Sequence, residues 1–482
     1  MAKSKPRYKR VAQLKTAEDF KQHLAELGIE IPFKETLSNP SESSLATPIT
    51  LNSGKSVGNR FCILPMEGWD GTPNGLPSDL TKRRWHNFAL SGAKLLWGCE
   101  AVAVRPEGRA NPNQLMMNPD TFDAIKGLYQ EVLEIHQKEF GTADDLEVGL
   151  QLTHSGRFAR PEKGKSGQPI ILYRHSVLDE KQGLPDDYPV MTDDDIDRLV
   201  DEFVVAAERA SEAGFNFVDI KHCHGYLGHE FLSAFNRPGK YGGDLEGRTR
   251  FLRSIVEGIK ATSNIPVGVR LSAFDWIPYK QGSDGVGIPF REGGNYTEGF
   301  GCDESGCNVD YSEIYGLFEV FRELGIERVC ISGGSPYYIP HIQRPALFPP
   351  SDGYLPPEDP LVGVARQIEI TGQIKKQFPD IKIVGSAYSY LQEWLPHVAE
   401  AVTDGGLADF IGLGRMVLSY PDMPADILRG NPLVRGKVCR TFSDCTTGPR
   451  QGMVSGCYPL DPFYKQRPEA AKVKEIKQQL EI

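Results

Sequence analysis

The chain has 482 residues, 40 % hydrophobic and 24 % charged, with a formal net charge of −10. A core of this size needs no disulfide or metal staple, and the acidic balance speaks against nucleic acid or an anionic membrane as the main partner. No stretch approaches the ~18 apolar residues of a membrane span, the basic opening MAKSKPRYKR leads into no apolar targeting segment, and the nine cysteines, odd in number and scattered, read as reduced thiols. The expected location is the cytoplasm.

Residues 1–45 form a polar N-terminal extension ending in SNPSESS. Short apolar runs with strand character follow at 61–65, 95–104, 147–152, 216–221, 266–271, 328–332, 381–385 and 409–413, each bounded by Gly, Pro or polar turn residues. Helical patterns separate them. Thr192 is a candidate N-cap with Asp195 three residues on, and Ile196, Leu199, Val200, Phe203, Val204 and Ala207 share one face until Gly214 ends the element. Over 312–324, Ile314, Leu317, Phe318, Phe321 and Leu324 repeat in the same way before Gly325. Eight strands alternating with helices predict an α/β chain folded as a (β/α)8 TIM barrel over 46–430; a doubly wound open sheet is the alternative. The Gly-rich segment 277–310 is too long for a plain loop and is expected to cap the catalytic face. Residues 431–482 form a C-terminal extension that carries three cysteines.

In such a barrel the site lies at the C-terminal ends of the strands, with phosphate commonly held after strands seven and eight. Those strands end in Gly385-Ser386 and Gly412-Leu413-Gly414-Arg415, where backbone N–H groups and a guanidinium could meet a phosphate; tight turns without a ligand are the plainer reading. Strand five carries Arg270 inside an apolar run, which demands either a barrel carboxylate or an anionic ligand. Strand three ends in Gln151, followed by His154 and Arg157. Strand four ends in Lys221-His222-Cys223-His224-Gly225-Tyr226, the densest group of reactive side chains. Zinc at His222 and Cys223 is disfavoured, because adjacent residues of a strand face opposite ways, and no metal ligand is assigned.

The segments NRFCILPM (59–66), QLTHSGR (151–157), HGYLGHEFLS (224–233), YGGDLEGRTRF (241–251), VGVRLS (267–272) and GLGRMVLSYPD (412–422) resemble those of old yellow enzyme and its NADH:flavin oxidoreductase relatives, in the family's order, over roughly residues 45–430. The resemblance implies a noncovalent FMN lined by Pro65, Met66 and Ala101, with Gln151 on its pyrimidine edge, Arg270 at N1 and C2=O, and Gly385, Ser386, Gly414 and Arg415 on the phosphate. It further implies that NAD(P)H delivers a hydride to flavin N5 and that an electron-poor, α,β-unsaturated carbonyl-type small molecule then receives it. Lys221 and His224 would polarise the substrate carbonyl and Tyr226 would protonate its α-carbon. Two positions depart from the family pattern: Lys221 replaces a neutral donor, and Glu67 stands where relatives place threonine or cysteine. A Glu67–Lys221 pair would reconcile both.

Two other functions stay open on the residues alone. One is a flavin-dependent dehydrogenase oxidising a hydroxyl or amine substrate; the other is a non-redox barrel binding a phosphate ligand. The C-terminal tail is similar to the trimethylamine dehydrogenase and dienoyl-CoA reductase branch, whose four-cysteine motif holds a [4Fe–4S] cluster. Here Cys439, Cys445 and Cys457 fall at such positions but Phe442 occupies the second, so no cluster is expected. Cys302 and Cys307 read as free thiols. A homo-oligomer is compatible with all of this.

Overall fold

The computed structural model describes residues 8–165, 167–291 and 295–479. At its centre is a parallel sheet of β1 (Phe61–Ile63), β2 (Leu95–Leu96), β3 (Ala101–Ala103), β4 (Glu147–Thr153), β5 (Phe217–Ile220), β6 (Val267–Ser272), β7 (Arg328–Ser332), β8 (Lys382–Gly385) and β9 (Phe410–Leu413). Strand β9 pairs with β1, so the sheet closes without an edge. Both β2 and β3 pair with β4, Leu95 opposite Glu147 and Ala101 opposite Gln151, and together fill one stave. The architecture is the expected (β/α)8 barrel.

The single strand expected over 95–104 is broken at 97–100, for steric and electrostatic reasons. Gly98 approaches β4 so closely that a Cβ there would lie 3.0 Å from the Gln151 nitrogen. Cys99 adopts φ 47°, and Glu100 turns away to pair with the buried guanidinium of Arg84. The helical readings hold. The helix Asp193–Ala213 starts at Thr192, whose hydroxyl accepts from Asp195 N at 3.1 Å, and stops at Gly214 with φ 99°. The helix Tyr311–Glu323 ends just before Gly325.

Inside the barrel, Cys62, Leu64, Leu95, Trp97, Phe217, Cys330, Val384 and Phe410 pack together. Ile49 and Val57, from the hairpin Ile49–Thr50 with Ser56–Val57, join them from below and close the floor. Apolar contact on both faces is why the strands read as nearly continuous hydrophobic runs. Beside them Arg328 meets Glu147 at 2.8 Å with both side chains buried.

The N-terminal segment carries the helix Ala17–Leu27, held by Phe20 stacked on Trp394 at 4.7 Å. Residues 277–291 and 295–310 hold a hairpin, Tyr279–Gln281 with Gly287–Pro289. Tyr279 N donates to Tyr338 O at 2.9 Å, so this segment braces the chain after β7. The C-terminal residues form three short helices, Asp444–Arg450, Pro462–Lys465 and Pro468–Gln479, and reach the catalytic end, where Ser455 N donates to Gly68 O at 2.7 Å. No described helix is long and apolar enough to cross a membrane.

Candidate active site

A cleft of ≈ 240 Å³ opens at the C-terminal ends of the strands. Twelve of the thirteen residues singled out from the sequence line it: Pro65, Met66, Glu67, Ala101, Gln151, Lys221, His224, Tyr226, Arg270, Ser386, Gly414 and Arg415. Gly385 stands behind the wall, its Cα turned to the Tyr388 side chain, and Gly412 lines the cleft instead.

At the barrel axis, Asp219 organises the deepest layer. It accepts from Gln151 Nε2 at 2.5 Å, Trp97 Nε1 at 2.8 Å and the Arg270 backbone nitrogen at 2.6 Å. Burial pushes its carboxyl up to about 6 despite these donors. The acceptors are therefore spent on Gln151, Trp97 and the Arg270 backbone. The Arg270 guanidinium, 6 % exposed, makes one long contact from Nη1 to Pro65 O at 3.4 Å, and its Nε has no partner among the described residues. The alternative of a simple salt bridge to a barrel carboxylate is thus not what the barrel provides. The guanidinium faces the cleft.

A second unsatisfied cation lies after β9. Arg415 Nη2 donates to Pro345 O at 2.8 Å, while Nη1 is buried with no partner among the described residues. Beside it, Gly414 borders open space and Ser386 precedes Ala387, held at φ 74°. A left-handed non-glycine residue is costly unless its surroundings enforce it. Here it turns the chain sharply off β8 at the cleft wall.

The opposite end is a hydrogen-bonded cluster after β5. Lys221 Nζ lies 3.1 Å from Glu67 Oε1, so the pair that reconciles the two departures does form. Tyr226 donates to the same carboxylate, 3.0 and 3.1 Å from its two oxygens, and its hydroxyl is 2.9 Å from that of Tyr337. Burial, then the neighbouring Glu67 charge, holds the Tyr226 phenol well above its ordinary range, so it keeps its proton. His224, at φ 69°, places Nε2 3.1 Å from the Gln343 amide and 3.5 Å from Ser332 Oγ. Burial, Arg270 and Lys221 hold it far below the usual histidine range, hence neutral.

Glu67 is braced from behind. Gly68 N donates to Glu100 Oε1 at 3.0 Å, and Glu100 and Asp70 both grip Arg84. Burial pushes the Glu100 carboxyl up to about 8, against the pull of Arg84.

The roof is where sequence reasoning fell short. None of the described residues of 277–310 lines the cleft; its cover comes from Pro336, Tyr337, Gln343 and Arg344 and, from the C-terminal extension, Cys445, Thr446, Pro449, Arg450 and Ser455. Tyr337 stacks on Phe158 at 4.2 Å and carries the Arg450 guanidinium 4.4 Å above its ring. Only the repeated tyrosines at 337–338 hinted at this, and they belong to no motif. Cys439, Cys445 and Cys457 line one small cavity with Phe442. Among the described residues, no group of three or more His, Cys, Asp or Glu side chains is placed to hold a metal. His222 is turned outward, with Nδ1 2.9 Å from Ile220 O.

Comparison with known proteins agrees with this geometry. The family model described as NADH:flavin oxidoreductase / NADH oxidase matches residues 44–291. The chain is 32 % identical over 329 residues to an NADPH dehydrogenase of Halalkalibacterium halodurans, covering 68 % of this chain and 77 % of that protein. Among solved structures, the old yellow enzyme homologue from Zymomonas mobilis superposes with a TM-score of 0.55 at 22 % identity, over 81 % of this chain and 94 % of that one. A 2-naphthoyl-CoA reductase complex gives a TM-score of 0.64 at 18 % identity and extends over 87 % of this chain, which spans only 57 % of that protein's length. An enzyme of the oxidoreductase class with the old yellow enzyme fold, the chain belongs to the NADH:flavin oxidoreductase / NADH oxidase family.

Proposed function

We propose that the cleft binds FMN and that the enzyme uses NAD(P)H to reduce an electron-poor double bond conjugated to a carbonyl. The observation that carries this is a pair of incompletely satisfied guanidiniums bordering one cleft, the buried Arg270 at the barrel axis and the half-buried Arg415 after β9. A buried cation without a partner is expensive, and a flavin nucleotide fits both: its electron-rich pyrimidine edge would sit against Arg270 and Gln151, its phosphate against Arg415, Gly414 and Ser386. When bound, FMN supplies two-electron chemistry, carrying the hydride of NAD(P)H to the substrate.

The residues of this chain do the rest. Arg270 keeps a fixed positive charge where negative charge develops. His224, neutral, and the Gln343 amide offer polar contacts to a substrate oxygen. Tyr226 holds a proton for the α-carbon, and Glu67 and Tyr337 hold its hydroxyl in place. Pro65, Met66 and Ala101 supply the apolar wall. Oxidation of a hydroxyl or amine, the reading that the Lys221 and Glu67 departures keep open, would place Lys221 near a substrate anion, whereas Lys221 is held by Glu67.

Purified protein should be yellow and release FMN on denaturation. Anaerobic NAD(P)H should bleach it, and an enone should restore the colour. Arg270→Gln should lose most of its flavin. A colourless protein that takes up no FMN, or one bleached by alcohols or amines and not by NAD(P)H, would overturn the proposal.

A further inference from the structure

The cleft is lined by five cations, Lys221, Arg270, Arg344, Arg415 and Arg450, and by a single carboxylate, Glu67. Lys221 is matched by Glu67. Arg450 is matched by Asp352, 3.0 Å from its Nε. On the reading above, Arg270 and Arg415 belong to the two ends of the flavin nucleotide. That leaves Arg344. Its Nη1 donates to the Thr446 hydroxyl, and among the described residues its buried Nη2 has no partner and no carboxylate reaches it within ion-pair distance. Burial, then the charges of Arg450 and Arg415, brings its pKa down to about 10, which leaves it protonated at neutral pH. It stands between Gln343, whose amide touches His224 at the substrate end, and Pro345, whose carbonyl accepts from Arg415 at the other.

We infer that Arg344 is an anion-binding residue and that the substrate of this enzyme carries a carboxylate near its reducible double bond. The inference rests on the flavin reading. A guanidinium presents two parallel N–H groups that match a carboxylate, and here Thr446 takes only one side of the fork. The free side costs stability in the ligand-free protein. An incoming carboxylate would recover that cost and discriminate against neutral analogues.

The test uses flavin-loaded protein and two non-reacting probes of equal shape, 4-oxopentanoate and its neutral amide, titrated by calorimetry. The wild type should favour the acid, and Arg344→Gln should weaken acid binding on the order of 10- to 100-fold, as loss of a charge-assisted fork does. Amide binding should change little, and Arg344→Lys should restore part of the preference. Because Arg344→Gln also removes the Thr446 contact and could loosen the roof, Thr446→Val serves as control and should keep the preference for the acid. FMN affinity and the KM values for NADPH and NADH are measured on the same variants. Equal binding of acid and amide by the wild type overturns the inference. So does an Arg344→Gln variant that instead weakens FMN, or NADPH selectively over NADH, since the recognised oxyanion would then be a cofactor phosphate. Protein that takes up no FMN sinks the flavin reading and this inference with it; flavin-loaded protein indifferent to charge sinks this inference alone.

Discussion

Removing one member of the Glu67–Lys221 pair should cost far more than removing both. The side chains are 14 % and 4 % exposed and 3.1 Å apart. At an effective dielectric near 20, two unit charges at that distance attract by about 5 kcal/mol, most of which offsets their desolvation. Lys221→Met leaves the carboxylate buried with only the Tyr226 hydroxyl and should lose about 3–5 kcal/mol of stability. Glu67→Gln should cost somewhat less, because the ammonium, 3.8 Å from the centre of the Tyr226 ring, retains that cation–π contact. The double variant should come close to the wild type, so the coupling approaches the sum of the two single costs, at least about 5 kcal/mol. Urea unfolding of the flavin-loaded proteins, followed by tryptophan fluorescence, measures the stability cycle. The flavin midpoint potential provides a second readout, with single variants shifted in opposite directions and the double variant returning. Additivity of the stability changes within about 0.5 kcal/mol would refute the coupling, and so would single variants that shift the potential in the same direction.

Other consequences follow from the same geometry. Tyr226→Phe should slow substrate reduction by about 10²–10⁴-fold while leaving flavin reduction by NAD(P)H intact, as read by stopped-flow absorbance; equal slowing of both half-reactions would contradict a proton-donor role. Gly98→Ala should destabilise the fold by about 1–3 kcal/mol, because the new methyl meets the Gln151 backbone, and an unchanged denaturation midpoint would show that the break in the second stave is relaxed. Seven histidines, among them His136 and His222 near 4 and His154, His229 and His341 near 3, are held below their ordinary value chiefly by burial. Five carboxylates, of Glu100, Asp219, Glu230, Asp275 and Asp359, are raised by burial and act in the opposite sense. The histidines outnumber them, so the unfolded chain binds more protons once the pH falls below about 6.5. The histidine contribution should therefore be fully present above that value and decline toward pH 4; a midpoint independent of pH between about 6.5 and 4 would count against neutral buried histidines.

The barrel and the part of the cleft built from strand ends were legible in the sequence because each rests on local pattern. Runs such as FCILP and VGVRLS declare strands buried on both faces, and the residues ending those strands, Gln151, Arg270, Gly414 and Arg415, converge at one rim once eight units close. The composition of 412–415 did not reveal that Gly412 rather than Gly385 borders the cleft, since the direction a strand-end residue faces depends on what packs behind it.

What the sequence by itself determined, then, is the closed parallel barrel, the rim where the cleft opens and the positions of Arg270 and Arg415 on it. Tertiary structure alone decided the roof. Tyr337 and Arg450 are separated by more than a hundred residues yet meet over one cleft, and segment 277–310, which composition marks as a cap, braces the roof from outside. Such contacts arise from long-range packing of irregular chain, where no periodicity records the partner, so only the folded molecule could bring Arg344 into the cleft without a counter-charge.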